Sequence, residues 1–212
     1  MKKIVVAIAL GFSFTQANAQ SFIKKITGNL SGGFKTEVNI SNFSLSDMPD
    51  AKSKINIGGT FGGFAKLDLS AHFAVQGDVL CHYKTSSLEQ GAVKSDYQYR
   101  GLEIPVYAMS QLKMNNGDRF YVGVGPYAEY GLNAEYKTGA NEIDLYEEDE
   151  TTGKASMTRL AIGAAAIIGY EFGCGIQVNV GYKTGLTNAL EANKGDASMF
   201  PNTVSIGIGY RF

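Results

Sequence analysis

The sequence predicts an all-β chain, a transmembrane, antiparallel, up-and-down β-barrel of eight strands. Three observations predict it. Apolar residues recur at every second position through most of the chain, the period of a strand with two unlike faces. The connections between these segments are short and long in strict turn. The apolar face is also the bulkier one, built of aliphatic and aromatic residues, while the opposite face holds Gly, polar residues and charges. With 26 Gly, 4 Pro, 12 Tyr and 12 Phe in 212 residues, the composition suits many strands and turns and has none of collagen's period.

The first twenty residues, "MKKIVVAIALGFSFTQANAQ", stand apart from this pattern. Lys2 and Lys3 supply a charged start, residues 4–14 an apolar run, and Ala17-Asn18-Ala19 a small-residue cleavage motif before Gln20. The run is shorter than the roughly 20 residues of a spanning helix. Residues 1–19 are therefore expected to be a cleaved export signal, and residues 20–212 the barrel domain. No Cys follows the cleavage point, so no lipid anchor is expected. The formal charge of −1 becomes about −3 without Lys2 and Lys3, which gives no reason to expect a nucleic-acid partner.

The strands follow in order. "FKTEVNISNF" (34–43) and "INIGGTFGGFAKL" (about 55–68) open the series. "FAVQGDVLCHYK" sets Phe73, Val75, Val79, Cys81 and Tyr83 against Gln76, Asp78, Leu80, His82 and Lys84. "LEIPVYAMSQL" sets Leu102, Ile104, Val106, Ala108 and Leu112 against Glu103, Pro105, Tyr107, Met109 and Gln111. In "FYVGVGPYAEYGLNAEYK" the apolar row runs from Phe120 through Val122, Val124 and Pro126 to Leu132, Ala134 and Tyr136. Opposite it lie Tyr121, Tyr127, Glu129, Asn133, Glu135 and Lys137. "RLAIGAAAIIGYEF" keeps the alternation with Ile167 as its exception. "IQVNVGYKTGL" and "VSIGIGYRF" complete eight strands, the last with Val204, Ile206, Ile208, Tyr210 and Phe212 on one face.

Short connections are expected at about 69–71, at "MNNGD" with its Asn116-Gly117 hairpin signal, and at 173–175. Long ones are expected at about 44–54, 85–96, 139–156 and 187–202. A β-sandwich has no reason to sort its loops by length, whereas a membrane barrel has tight periplasmic turns and larger outer loops. The polar face carries Lys35, Glu37, Lys66, Asp78, Lys84, Glu103, Glu129, Glu135, Lys137, Arg159, Glu171, Lys183 and Arg211, six acids against seven bases. Apolar rows this bulky, opposite a charged face, find their partner in lipid, and a closed barrel leaves no backbone group unpaired there.

Several of these segments, "VNISNFSLSD", "LEIPVY", "YVGVGPYAEYGL", "NVGYKTGLTN" and "IGYRF", resemble the porin-family outer-membrane β-barrel domain proteins of Gram-negative bacteria. The resemblance runs over essentially the whole mature chain; Cys81 and Cys174 are not part of the family's pattern. It implies an integral outer-membrane barrel among lipid and lipopolysaccharide, and no single activity. The terminal aromatic also resembles the signal read by the barrel-assembly machinery, which would engage Val204, Ile206, Ile208, Tyr210 and Phe212.

Chemistry is sparse. A lipid-directed hydrolase or acyltransferase needs His and Ser placed together, yet parity puts His82 in the lumen and His72 beside a turn at the other end. The loop "NEIDLYEEDETTGK" is acidic but lacks the Gly-punctuated spacing of a calcium loop. "GGTFGGF" lies within a strand and lacks a phosphate loop's Lys-Ser/Thr ending. No catalytic, cofactor-binding or metal-ligating residue is predicted. The expectation is a monomeric barrel with a filled polar lumen and a structural or passive porin-like role. The alternative is a surface-interaction protein acting through its long loops. Cys81 and Cys174 are expected to be free thiols. One lies in a turn and the other roughly 20 Å up a strand, against the 7 Å or so that a disulfide allows between Cα atoms.

Overall fold

The structure is a computed structural model that describes residues 28–46, 51–54, 56–90, 93–138, 141–144, 158–188 and 198–212. The proposed signal, most of the acidic loop and the side chains of Lys84, Glu135 and Lys137 lie outside the described residues. Ten strands are described: β1 (Leu30–Ser46), β2 (Ala51–Lys54), β3 (Asn56–Asp68), β4 (Phe73–Gln90), β5 (Val93–Lys113), β6 (Arg119–Thr138), β7 (Asn141–Asp144), β8 (Leu160–Glu171), β9 (Ile176–Gly185) and β10 (Ser198–Arg211). Eight of them close a ring in the order β1-β3-β4-β5-β6-β8-β9-β10, with β10 returning to β1 along Phe34↔Tyr210 to Ser46↔Ser198. The two short strands lie off the ring: β2 pairs with the far end of β4, and β7 with the far end of β6. The eight-stranded, all-antiparallel barrel is as the sequence predicts.

Three tight turns gather at one end. In the first, Leu69 and Ser70 donate backbone hydrogen bonds to Phe73. The second contains Gly117 at φ 88° and the third Gly175 at φ 91°, the left-handed region where a Cβ is penalised. Parity also holds. Val124 and Ile206 are 63% and 62% exposed, whereas Lys35, Glu103 and Lys183 are buried. A belt of exposed Phe, Val and Ile around a charged interior is stable only against hydrocarbon. Cys81 and Cys174 are free thiols, as expected.

Three details differ from the sequence reading. The connection expected at 85–96 is almost all strand: β4 runs to Gln90, β5 starts at Val93, and the two pair to Gln90↔Val93. Backbone pairing does not depend on an apolar face, so it continues here after apolar alternation has stopped. The second difference is a β-bulge. Arg100 faces Asn133 and Gly101 faces Gly131, which leaves Leu132 as an extra residue. The bulge reverses the parity of β6 beyond it, so Ala134, expected outside, is buried. Third, Arg159 is exposed, just ahead of β8, instead of within the lumen. Ile167, the apolar exception on the inward face, is buried there, as its parity places it.

Candidate functional site: the charged lumen

Side chains fill the lumen in three tiers. At the turn end the hub is Glu171, fully buried at the last position of β8. Its neighbours in register are Arg119 on β6 and Gln177 on β9. Gln177 Nε2 donates to one carboxylate oxygen at 2.8 Å, and Arg211 reaches the other through Nε at 2.8 Å and Nη2 at 2.7 Å. Arg119 Nε and Lys66 Nζ stand at 3.5 and 4.0 Å. Asp68, at the end of β3, receives Arg119 Nη1 at 3.1 Å and Gln111 Nε2 at 2.9 Å, with Lys113 at 3.8 Å on the rim.

The middle tier is apolar and aromatic. Tyr107, Tyr121 and Tyr127 pack with Ala74, Met109, Ala165 and Ile167 in one buried cluster. Tyr121 lies so close over Gly169 that a Cβ there would stand 2.4 Å from the ring, so this glycine is space for the tyrosine. Two lysines use the ring faces: Lys35 Nζ lies 5.9 Å from the Tyr107 centroid and Lys66 Nζ 5.6 Å from that of Tyr121.

Above the tyrosines runs a chain of alternating charge. Asp78 meets Lys35 at 2.7 Å, and Lys35 meets Glu37 at 2.9 Å. Glu37 stands 3.5 Å from Lys183, which donates to Glu103 at 2.5 Å. The chain ends at His82 and Glu129, whose Nε2 and Oε1 are 3.3 Å apart. Asn39 donates to Thr60 Oγ1 beside it, and Ser41 and Thr203 share a hydrogen bond at 3.1 Å.

Of the thirteen charged residues predicted to face inward, nine are described as buried or half-buried: Lys35, Glu37, Lys66, Asp78, Glu103, Glu129, Glu171, Lys183 and Arg211. The barrel joins them into networks that the sequence could not show, because their partners sit on strands far apart in the chain. Sequence reasoning missed Asp68 and Arg119, which close the turn end. Their signal was position, since each abuts a tight turn. It also passed over the apolar middle tier, although Tyr107, Tyr121, Tyr127 and Met109 had been placed on the inward face. His72 is exposed in the 69–72 turn, so the two histidines are not brought together. Ion pairs this buried recover their desolvation cost only with good geometry and further hydrogen bonds. Glu171 has both.

The family model described as the outer membrane protein beta-barrel domain matches residues 5–212. No curated protein matches. Among solved structures, the chain is similar to the outer membrane protein OprG from Pseudomonas aeruginosa, at 15% identity and a TM-score of 0.48, covering 86% of this chain and 94% of that one. Neisserial surface protein A is similar at 12% identity and a TM-score of 0.45, over 85% and 97% of the two chains. Ail, the attachment invasion locus protein of Yersinia pestis, is similar at 13% identity and a TM-score of 0.44, over 86% and 98%.

Proposed function

This chain belongs to the outer membrane protein beta-barrel domain family, and from that premise we propose that it is a structural or passive barrel with a largely closed lumen. It is a protein of the outer membrane. The observation that carries the closed lumen is the uninterrupted run of buried ion pairs from Asp78 to Glu103, above a tier of three tyrosines. Eight strands leave an interior about wide enough for side chains to fill. A hydrated ion crossing it would have to part pairs such as Lys183–Glu103, and each separation leaves a buried charge without its partner. Purified protein in planar bilayers is expected to give no steady single-channel conductance. A stable open level at ordinary salt would sink the reading. We read the protein as no enzyme: His72 is exposed at the turn end, while His82 is enclosed among carboxylates and a tyrosine.

One observation favours a second reading, action through surface contacts. Beyond the ring, β2, the far ends of β4, β5 and β6, and β7 pair in succession, so the outer end carries an ordered sheet. Such a platform suits an interaction surface. Epitope tags at Glu148 or Lys194 are expected to be labelled on intact cells, and a tag at Asn116 is not.

The remaining partners follow from the lipid-facing rows: outer-membrane lipid and lipopolysaccharide, with the assembly machinery engaging Val204, Ile206, Ile208, Tyr210 and Phe212. Phe212 packs on Phe34 at 5.5 Å between centroids, and its N–H donates to Gly32. Phe212→Ser is expected to lower the yield of folded barrel severalfold, measured by heat-modifiable migration, while Ser205→Ala in the lumen leaves it near normal. Equal yields would remove the C-terminal row from assembly. We read the barrel as a monomer after cleavage of residues 1–19.

A further inference from the structure

The geometry points to a site for one divalent transition-metal ion, of the zinc class, in the upper lumen, formed by His82, Glu103 and Glu129. These residues lie on β4, β5 and β6, three successive strands of the ring, and all three are buried. Each can turn one ligand atom to the same point, the three atoms lying within 4.8 Å of one another. At a metal–ligand distance near 2.1 Å, a tetrahedral site spaces its ligand atoms about 3.4 Å apart. His82 Nε2 and Glu129 Oε1 are already at 3.3 Å. The Glu103 carboxylate has to close from at most 4.8 Å to that spacing, a movement of up to about 1.4 Å.

Two independent features favour a cation here. Glu103 and Glu129 are direct cross-strand partners, and like charges placed so are destabilising unless something positive lies between them. The cation already at Glu103 can also be spared: Lys183 Nζ donates to Glu103 Oε1 at 2.5 Å. Lys183 also has Glu37 within 3.5 Å, so it keeps a partner if Glu103 turns to the metal.

The second feature is how the backbone makes room for the imidazole. His82 and Gly101 are cross-strand partners, and a Cβ on Gly101 would stand 2.8 Å from both Cε1 and Nε2 of the ring. The β-bulge lies at this point, and bulges re-aim side chains next to sites. Tyr99 stacks on the ring, at 5.2 Å and 13°. The imidazole thus packs against Gly101 and Tyr99 with Nε2 toward Glu129, the fixed orientation a ligating histidine needs. Gln98, Tyr99 and Asn133 are only half-buried, which leaves a route from the mouth. The sequence showed none of this, because 21 and 26 residues separate the ligands and match no metal motif.

The test is titration of Zn²⁺ into the folded, chelator-stripped barrel in detergent, followed by calorimetry. One ion per chain is expected to bind. His82→Ala and Glu129→Gln are expected to weaken it at least about tenfold, and His72→Ala to leave it unchanged. Binding that survives His82→Ala would place the ion on the acidic outer loop and overturn the site, as would no binding to the native barrel. Heat-modifiable migration checks that each variant folds. If His82→Ala does not fold, X-ray absorption of the Co²⁺-loaded native protein decides. One imidazole with carboxylate oxygens supports the site, and an oxygen-only shell refutes it.

Discussion

The two ends of the lumen use the same kinds of residue in opposite proportion. At the turn end, Lys66, Arg119 and Arg211, with Lys113 on the rim, surround two carboxylates, Glu171 and Asp68. Above the tyrosines, two lysines are shared among Glu37, Asp78 and Glu103, and His82 stands beside Glu129. The lower network is a hub, in which one carboxylate satisfies several donors. The upper one is a chain, in which each lysine bridges two acids. A hub concentrates the penalty of a break at one residue, whereas a chain can shift its partners. It follows that the turn end is the rigid plug and the upper end the part able to accept an added cation.

Removing the hub is the most severe way to break this contrast. Glu171→Ala takes from Lys66, which is almost wholly buried, its carboxylate at 4.0 Å, and releases Arg211 and Gln177 together. A loss of about 3–5 kcal/mol is expected, read from urea unfolding of the folded barrel in detergent. A loss below about 1 kcal/mol would mean that water enters the turn end and the hub is not dry.

Cutting the chain should cost less. Lys183→Met takes the 2.5 Å ion pair from Glu103, but Glu37 keeps Lys35 at 2.9 Å, so about 2–3 kcal/mol is expected. This variant also sharpens the comparison, because it removes the lysine that holds the Glu103 carboxylate. Zn²⁺ should recover part of the lost stability in Lys183→Met and none of it in Glu171→Ala. Equal recovery in both would mean the ion acts on the surface and not on the upper chain.

The contrast also marks what the sequence could reveal. Within the membrane one face of every strand is fixed by lipid, so period two placed Lys35, Glu103, Glu171 and Lys183 inside from composition alone. Parity assigns a face but neither a height nor a partner. The stagger of the strands brings Lys183 of β9 to Glu103 of β5, 80 positions away, and no local pattern encodes that. The rule also failed where its cause was absent. Beyond Lys84 the apolar alternation stops, so 85–96 read as loop although it pairs as hairpin. At Leu132 the extra residue of the bulge shifted the count, and Ala134 was assigned to the wrong side. The same bulge frames the candidate metal site, so the misread stretch and the unforeseen site share one cause.

The smallest expected effect lies outside both clusters, in the second tight turn. Asp118 accepts hydrogen bonds from Tyr170 Oη at 2.5 Å, the Gly173 N–H at 2.7 Å and Asn116 Nδ2 at 2.6 Å, tying this turn to the third. The Tyr170 hydrogen bond, followed by that from Gly173, holds its carboxyl below the usual carboxylate range. Because the folded value is the lower one, the stabilisation is complete above the unfolded carboxyl's value, near 3.9, and is lost as pH falls through the folded value. Asp118→Ala should therefore lower the urea midpoint slightly at neutral pH, by less than either lumen variant, since the site is open to water. At acid pH the variant and the native barrel should converge. A difference that stays constant from neutral to strongly acid pH would show that Asp118 acts through turn geometry and not through its charge.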